Sequence, residues 1–204
     1  MGGGLLTAIK DNLNPVLVYL GDDEDELIVV QVNVVSLNIR IFNGYGPQES
    51  SNEGNLQVKL NFWQSFEKEI IAAKDENCEI IIELDANAKV GKEVITGDPN
   101  NQSANGKILM DIIKRQNLIL LNSSDICQGK ITRQRSTVIG DEISILDYII
   151  VSEGLHNNIL EVIIDEERSH VLTKYASTTG KQKKSESDHN ILFIKFNIFL
   201  PIPV

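Results

Sequence analysis

The segment from residue 78 to residue 84 constrains the fold of this chain more than any other. Ile80, Ile81 and Ile82 follow one another at its centre, without the alternation of apolar and polar residues that a half-exposed strand shows. Strands with this pattern are buried on both faces and lie in the middle of covered sheets. The segment is therefore predicted to be a central strand of an α/β domain.

Helical periodicity is found on both sides of this strand. The apolar positions recur every three or four residues, at Leu56, Leu60, Trp63, Phe66 and Ile70 before it and at Ile108, Leu109, Ile112 and Ile113 after it. Lys114 and Arg115 lie in the last turn of the second pattern, where cations interact favourably with the helix dipole. Two amphipathic helices are predicted, one ending near residue 73 and one opening at Asn105-Gly106.

Short apolar segments bounded by Asn, Gly or Asp make up most of the remaining chain. The first four predict an antiparallel meander, at residues 5–10, 16–20, 27–34 and 37–42. Later strands are predicted at residues 118–121, 130–133, 145–151, 161–164, 171–175 and 191–199, and residues 178–187 are predicted to be a mobile loop. Strands with two helices interposed predict an α/β fold in which two sheets pack face to face and are covered by helices.

Composition limits the classes to which the protein can belong. A chain of 204 residues with 42% hydrophobic side chains fits one globular domain, and two cysteines do not make a disulfide framework. No segment resembles a membrane span or a secretory signal, so the expected location is intracellular, in the nucleus or cytoplasm. The net charge of −10 opposes binding to nucleic acid, although residues 130–184 carry equal numbers of basic and acidic side chains. Residues 22–26 are predicted to be a solvated acidic hairpin tip rather than a metal site.

Polar groups that could carry chemistry lie at strand ends and in loops. Asp85 follows the central strand, at the end where α/β folds often place ligands, although an Asp taken alone is more often part of a turn or cap. Asp147 interrupts the apolar residues 145–150 and therefore needs a buried partner. His189 is a natural partner, because a carboxylate bonded to one ring nitrogen makes the other a better base. His156 and His170 are predicted to be ordinary polar residues.

The order of these groups carries more information than any one of them. Tyr45-Gly46-Pro47 is followed by Asp85-Ala86-Asn87, then by Asp147-Tyr148 within an apolar strand, and then by Asp188-His189 before the last strand. In this order the sequence resembles the endonuclease/exonuclease/phosphatase superfamily of metal-dependent phosphodiesterases. It is most similar to the endonuclease domains of non-LTR retrotransposons, which also share the glycine-rich opening at residues 2–6 and a strand like Ile131-Thr132-Arg133. The likeness spans residues 2–196.

The resemblance implies a four-layer α/β/β/α sandwich of two packed mixed sheets flanked by helices. It implies one domain at residues 1–197, incomplete at its N-terminus, and a short tail at residues 198–204. It also assigns catalytic positions to Tyr45, Asp85, Asn87, Asp147 and His189, and a metal-supporting position to Asp188. The implied reaction is hydrolysis of a phosphodiester, in which a DNA-nicking endonuclease uses Mg2+, with Mn2+ as the alternative ion.

Individual roles follow from the same resemblance. Asp85 would activate the attacking water, Asn87 would position the scissile phosphate, and Tyr45 would contact that phosphate or stabilise its developing charge. His189, held by Asp147, would bind a phosphate oxygen or exchange a proton with the substrate.

The sequence also departs from the family pattern. The family's first strands, which carry an Asn and a metal-binding Glu, have no counterpart here, and Leu84 stands where Gly is usual. A sheet without these strands would expose an edge that favours association with another chain. Two alternatives stay open, a non-catalytic remnant or binding module, and a phosphatase on the same scaffold.

Overall fold

A computed structural model describes residues 5–21, 26–34, 37–49, 54–171, 173–178 and 181–197. The glycine-rich opening at residues 2–4, most of the acidic segment at residues 22–25 and the tail at residues 198–204 lie outside these ranges. None of the helices within them is long and apolar enough to cross a membrane.

The elements alternate along the chain, with helices interposed between groups of strands. The strands are β1 (Val16–Leu20), β2 (Leu27–Val34), β3 (Leu37–Tyr45), β4 (Glu79–Asp85), β5 (Leu118–Leu120), β6 (Cys127–Gln128), β7 (Arg133–Thr137), β8 (Gly140–Ser144), β9 (Asp147–Ser152), β10 (Ile159–Ile164), β11 (Thr173–Thr178), β12 (Lys181–Glu186) and β13 (Leu192–Phe196). The helices are α1 (Gly54–Asp75), α2 (Ala104–Arg115) and α3 (Glu153–His156), and short 3-10 turns span Asp11–Leu13 and Leu121–Ser123.

The main sheet has six strands in the order β1-β2-β3-β4-β9-β5. Only β3 and β4 pair in parallel, and the other neighbours are antiparallel. Strand β4 is central, as predicted, because Ile80, Ile81 and Ile82 are all buried. Ile80 and Ile82 belong to a core cluster with Phe62 and Phe66 of α1, so the helices cover this face. Helix α2 also begins as expected for a capped helix, since the Ser103 side chain accepts from the Gly106 amide.

The second sheet covers the opposite face of the main sheet. It has three strands in the order β13-β10-β6, and Val162 of β10 lies in one buried cluster with Ile81 and Ile149 of the main sheet. Two further pairs, β7-β8 and β11-β12, form separate hairpins. The predicted fold class is confirmed: the chain is a mixed α/β protein with two packed sheets.

Two strand predictions differ from the structure. Residues 5–10 were expected in the meander, but they join no strand among the described residues, and Leu6 is 84% exposed. They are held instead by the Asn43 side chain, which donates to the Leu6 carbonyl and to Thr7 Oγ1, both at 3.0 Å. Residues 130–132 precede β7 rather than form it, because the Ile131 amide donates to a side-chain oxygen of Glu166.

The segment at residues 178–187 was predicted to be a mobile loop, and this prediction is wrong for most of its length. Strands β11 and β12 pair in register from Thr173 opposite Glu186 to Thr178 opposite Lys181. The lysine-rich composition of residues 178–187 gave no sign of a strand pair.

Candidate active site

Three of the predicted site residues lie side by side across the main sheet. Tyr45, the last residue of β3, pairs with Asp85, the last residue of β4, and Asp85 pairs with Asp147, the first residue of β9. Paired residues on neighbouring strands point to the same face of a sheet. The three side chains therefore point to the face that the second sheet covers, and we call them the sheet wall.

Gly46, in Tyr45-Gly46-Pro47, allows the backbone after Tyr45 to approach the end of β4 closely. The Gly46 amide donates to the Asp85 carbonyl at 2.6 Å, and a Cβ at position 46 would lie 2.4 Å from the Ala86 carbonyl oxygen. No side chain fits there. Asn87 completes the arrangement, because its Nδ2 donates to the Gly46 carbonyl at 2.8 Å. Asn87 thereby fixes the loop that follows Tyr45.

Asp85 combines two roles that the sequence left as alternatives. Its Oδ1 accepts from the Asn87 amide at 3.1 Å, which makes an Asx turn. Its Oδ2 lies 3.8 Å from Nδ1 of His189. The carboxylate therefore shapes the local turn and also faces the imidazole.

His189 and Asp147 are in direct contact. Nδ1 of the imidazole lies 3.0 Å from each of the two carboxylate oxygens of Asp147. The side chains of His189 and Asp147 are 29% and 16% exposed, so the pair is partly accessible to solvent. A carboxylate on Nδ1 directs the other ring nitrogen, Nε2, away from Asp147.

Buried polar residues that the sequence analysis did not select support this pair. Thr132 is fully buried, and its Oγ1 accepts from the amides of Leu146 and Asp147 at 2.8 and 3.1 Å. Its carbonyl accepts from the Asn190 amide at 2.7 Å. Thr132 thus connects the strand that carries Asp147 to the segment that carries His189. A lone threonine in a short apolar segment was the available signal.

Asn122 supports Asp147 from the other side of β9. Its Nδ2 donates to the Asp147 carbonyl at 3.1 Å, and its Oδ1 accepts from the Ile149 amide at 2.9 Å. The pairing of β5 with β9 ends at Leu120 opposite Ile150. Beyond this point the Asn122 side chain makes the hydrogen bonds to β9 that a neighbouring strand would make. Its position directly after the apolar residues 118–121 was the only sign of this role in the sequence.

Asp188 is held by a basic residue that was also missed. Nε of Arg133 lies 2.9 Å from Oδ2 of Asp188, and the Asp188 carbonyl accepts from the Gln134 amide at 2.8 Å. Arg133 also forms an isolated antiparallel bridge with His189. Arg133, Asp188 and His189 are brought together by loops and by the start of a hairpin, and we call them the loop wall.

The two walls enclose an open cleft of about 880 Å³. All six residues predicted from the sequence line it. Further lining residues with charged side chains are Glu26, Glu49, Lys89, Arg133 and Arg135. At Glu26 the prediction of a solvated hairpin tip is wrong, because this residue lines the cleft. Residues 22–25 lie outside the described ranges. The Glu26 carbonyl accepts from the Tyr45 amide at 2.9 Å, so Glu26 continues the row of the sheet wall by one strand.

Several solved structures are similar to this one. The endonuclease domain of TRAS1, a telomere-specific non-LTR retrotransposon, has a TM-score of 0.56 and 18% identity over 84% of this chain and 64% of that chain. The 3'-5' exonuclease NExo from Neisseria meningitidis has a TM-score of 0.59 and 14% identity over 83% of this chain and 65% of that chain. An endonuclease/exonuclease/phosphatase family protein from Leptotrichia buccalis has a TM-score of 0.52 and 15% identity over 84% of this chain and 54% of that chain.

The chain has the endonuclease/exonuclease/phosphatase fold. The similarity is one of structure: no protein-family model and no curated protein matches the sequence. The chain spans 64% and 65% of the first two structures named above. The fold that the order of motifs implied is therefore confirmed.

The electrostatics of this endonuclease/exonuclease/phosphatase-fold cleft perturb its central acid. Burial, followed by the charge of Asp147, raises the pKa of Asp85 from 3.8 to about 6, although the nearby charges of His189 and Arg133 act in the opposite direction. A carboxylate with this pKa changes protonation close to neutral pH.

The pKa values of the loop wall shift in opposite directions. Burial works to lower the pKa of His189, but the hydrogen bond and charge of Asp147, with the charges of Asp85 and Asp188, outweigh it, so the pKa is raised. Burial works to raise the pKa of Asp188, but the charge and hydrogen bond of Arg133, a backbone hydrogen bond and the charge of His189 together outweigh it, so the pKa is lowered. These shifts favour a cationic imidazole beside an ionised Asp188.

The donors of the cleft suit a divalent cation. Asp85, Asp147 and His189 each offer a ligand atom, and these atoms lie within 4.8 Å of one another. Oε2 of Glu26 is buried and accepts no hydrogen bond from any described residue. A buried carboxylate oxygen without a donor, in a cleft that already holds two neighbouring carboxylates, fits a hard cation such as Mg2+ or Mn2+. Asp188, the residue predicted to support the metal, is not a member of this set among the described residues, and Arg133 engages one of its oxygens.

Proposed function

We propose that this chain hydrolyses phosphodiester bonds of DNA in a Mg2+-dependent reaction, as an endonuclease-like domain of retrotransposon origin that nicks its substrate. The observation that carries the proposal is the convergence of six residues, selected from sequence motifs alone, on one cleft. Unrelated polar residues spread over four segments of a chain have no reason to meet. The fold is shared with structures named as an endonuclease domain and an exonuclease, and a Neisseria NExo variant is bound to a product DNA hairpin.

The protonation states of the cleft suit this reaction. Asp85, with a pKa of about 6, accepts a proton from an attacking water near neutral pH. His189 is held in its cationic form by Asp147, and its Nε2 donates to a phosphate oxygen or to the leaving group. These two groups supply the base and the acid of a hydrolysis.

Tyr45 and Asn87 position the phosphate between these groups. The Tyr45 hydroxyl accepts from Nε2 of Gln48 at 3.3 Å, which leaves its own proton for an oxygen of the substrate. Nδ2 of Asn87 gives one hydrogen to the Gly46 carbonyl and retains a second for the phosphate. Tyr45 belongs to the sheet wall and Asn87 bonds the loop that follows it, so the proposal puts the scissile phosphate against this wall.

When bound, Mg2+ supplies charge neutralisation at the transferring phosphorus, and Mn2+ is the alternative ion. The carboxylate of Asp147 would hold it, with Asp188 supporting the site, while Asp85 stays free to accept the proton of the attacking water. Glu26 is a further carboxylate within the same cleft, with one oxygen available.

The proposed partners follow from the substrate. Because the proposed substrate is DNA, the proposed location is the nucleus or cytoplasm. Association with another chain through an exposed sheet edge is also proposed, because the edge strand β1 leaves Val16, Leu17 and Leu20 57%, 58% and 64% exposed. Unpaired edges with apolar side chains favour pairing with another strand.

The test is nicking of supercoiled plasmid by the purified chain with Mg2+, beside a sample with EDTA. Asp85→Ala and His189→Ala are each expected to reduce the rate by about 10²–10⁴-fold. His170→Ala is the matched control, because this imidazole contacts Asp165 and packs on Phe193, and it does not line the cleft.

Two results would contradict the nuclease. A folded wild-type chain that fails to nick DNA with either ion would instead be a binding module, provided that it retains DNA in a mobility shift. Hydrolysis of a small phosphate monoester without nicking would instead identify a phosphatase. Equal nicking rates for His189→Ala and His170→Ala would show that the activity does not arise in this cleft.

A further inference from the structure

The charge of the cleft opposes the substrate proposed for it. Its acidic lining residues are Glu26, Glu49, Asp85, Asp147 and Asp188, and its basic ones are Lys89, Arg133 and Arg135. The whole chain carries a net charge of −10. A DNA backbone enters such a cleft only where a cation is fixed at the point of contact, since diffuse attraction is absent.

Arg133 is the cation that the structure fixes most firmly. Its Nε is 2.9 Å from Oδ2 of Asp188, and its side chain is only 23% exposed. Its backbone is the first residue of β7, pairs with Ser144 and bridges to His189. The backbone of Arg133 is therefore paired on both sides, and its guanidinium is held by Asp188, the neighbour of His189 in the sequence.

Arg133 also acts at the centre of the cleft. Its charge is one of those that oppose the rise in the pKa of Asp85, so it lies within electrostatic reach of that carboxylate. Arg135 differs, because it is exposed and its strand partner is Glu142 of β8. The side chain of Lys89 forms no hydrogen bond or ion pair within the described ranges. Arg133 is the basic residue with both a fixed position and a place among the central groups.

The contact with Asp188 uses only one edge of the guanidinium. Nε donates to Asp188, and within the described part of the chain neither Nη atom donates a hydrogen bond to a carboxylate. The two Nη groups carry four N–H bonds in a plane, a geometry that matches two oxygens of a phosphate. Lysine offers a point charge and does not reproduce this planar fork.

We propose that Arg133 binds a backbone phosphate of the DNA through its two Nη groups, and that Asp188 positions the guanidinium for this contact. Arg133 touches the substrate, whereas Asp188 acts through Arg133 and through its charge at the edge of the cleft. This inference rests on the proposed nuclease function, because it takes DNA as the ligand. It gives Arg133, the last residue of the family-like segment Ile131-Thr132-Arg133, the role of a fixed positive charge in the acidic cleft.

The experiment measures binding without catalysis. Fluorescence anisotropy of a labelled DNA duplex is recorded in EDTA over a series of salt concentrations, for the wild type and for Arg133→Gln. Glutamine retains a hydrogen-bond donor for Asp188 and removes the charge and the fork. We expect binding to weaken about tenfold, and the slope of log K against log salt to fall in magnitude by about 1.

Three further variants separate this role from a structural one. Arg133→Lys should keep the salt slope and still weaken binding, because the charge remains and the fork is lost. Asp188→Asn should weaken binding without reducing the number of phosphate contacts, and it should therefore leave the slope unchanged. Arg115→Ala is the matched control, because Arg115 also engages a carboxylate, that of Glu67 at 2.7 Å, but on α2 away from the cleft.

The outcomes are distinguishable from those of the nicking assay. The inference is wrong if Arg133→Gln melts like the wild type and binds DNA with the same affinity and salt slope. It is also wrong if Arg115→Ala weakens binding equally. Binding that follows this pattern in a chain that never nicks plasmid would support the phosphate contact and contradict the nuclease.

Discussion

The two walls of the cleft are built by different interactions. In the sheet wall, strand register places Tyr45, Asp85 and Asp147 in one row, and backbone pairing maintains that row. In the loop wall, side chains hold Arg133 and His189 in place through contacts with Asp188 and Asp147. The first wall depends on many repeated backbone bonds, whereas the second depends on a few individual groups.

This difference predicts how each wall responds to substitution. Loss of one side chain from a sheet leaves the ladder intact, so the row of the sheet wall should tolerate small changes in its core. The loop wall lacks a strand ladder, and its two segments are joined by a few hydrogen bonds, among them the Gln134 amide on the Asp188 carbonyl and the Asn190 amide on the Thr132 carbonyl. Substitutions in the loop wall should therefore move the imidazole as well as reduce stability.

The largest effect is expected at Thr132. Thr132→Val removes an oxygen that accepts from the amides of Leu146 and Asp147, and valine occupies the same volume. Two buried N–H groups without acceptors should lower the free energy of unfolding by about 2–4 kcal/mol. Urea unfolding measures this loss, and Thr96→Val, at an exposed threonine, should change it by less than about 0.5 kcal/mol.

The same variant tests the coupling between the segments. The ring-proton titration of His189, followed by NMR, should change in Thr132→Val because the start of the Asp147 strand loses its side-chain link to the segment that bonds Asn190, while the backbone bond to Asn190 remains. A titration curve identical to that of the wild type would show that the loop wall is held without Thr132.

The second effect, at Asp85, is an increase in the free energy of unfolding rather than a decrease. The pKa of this carboxyl is about 6 in the fold against 3.8 in its absence, so folding favours the protonated form. That contribution to stability is present below pH 4 and is lost as the pH rises through 6. Asp85→Asn removes the charge, and in EDTA at pH 8 it should raise the free energy of unfolding by about 2–3 kcal/mol.

Unfolding curves from pH 4 to pH 8 check the sign of this effect. The gain from Asp85→Asn should shrink towards pH 4, where the wild-type carboxyl is protonated in the fold. Asp111→Asn, an exposed substitution of the same kind on α2, should follow the wild type throughout. A loss of stability in Asp85→Asn at pH 8 would show that the Asx turn outweighs the burial of charge.

A third effect concerns the tight approach at Gly46. Gly46→Ala places a Cβ 2.4 Å from the Ala86 carbonyl oxygen, and backbone must shift to relieve it. Overpacking of this kind should cost about 1–3 kcal/mol. Gly44→Ala is the comparison, because its nearest contact is Cδ1 of Leu84 at 2.9 Å, a methyl group that can rotate away. Equal unfolding midpoints for the two variants would contradict this view of the loop.

The sequence was informative about the sheet wall for a physical reason. An apolar strand buried on both faces is visible as a continuous run, and the polar residue that ends it marks the edge where a ligand can bind. Asp85 and Asp147 were found because each interrupts or ends such a run, and His189 was inferred as the partner that a buried carboxylate requires. The observed contact at 3.0 Å joins these two lines of reasoning.

The loop wall was less visible for an equally physical reason. Thr132 and Asn122 act through hydrogen bonds to backbone groups that are distant in sequence, and no local pattern records such partners. Arg133 was visible only as part of the family-like segment Ile131-Thr132-Arg133 and in the count of basic residues, and neither indicated its contact with Asp188. Residues 5–10 show the converse, because their apolar alternation predicts a strand while Asn43 holds them in another conformation.

The smallest effect should come from the core of the sheet wall. Ile82→Val removes one methyl group from the face covered by α1, and Ile81→Val removes one from the face covered by the second sheet. Each should cost about 1 kcal/mol of stability. The ring-proton titration of His189 should stay unchanged in both, because backbone register rather than side-chain packing sets the positions of Asp85 and Asp147. A shifted titration in Ile81→Val alone would show that packing between the sheets also positions the site, and the two walls would then be coupled through the core.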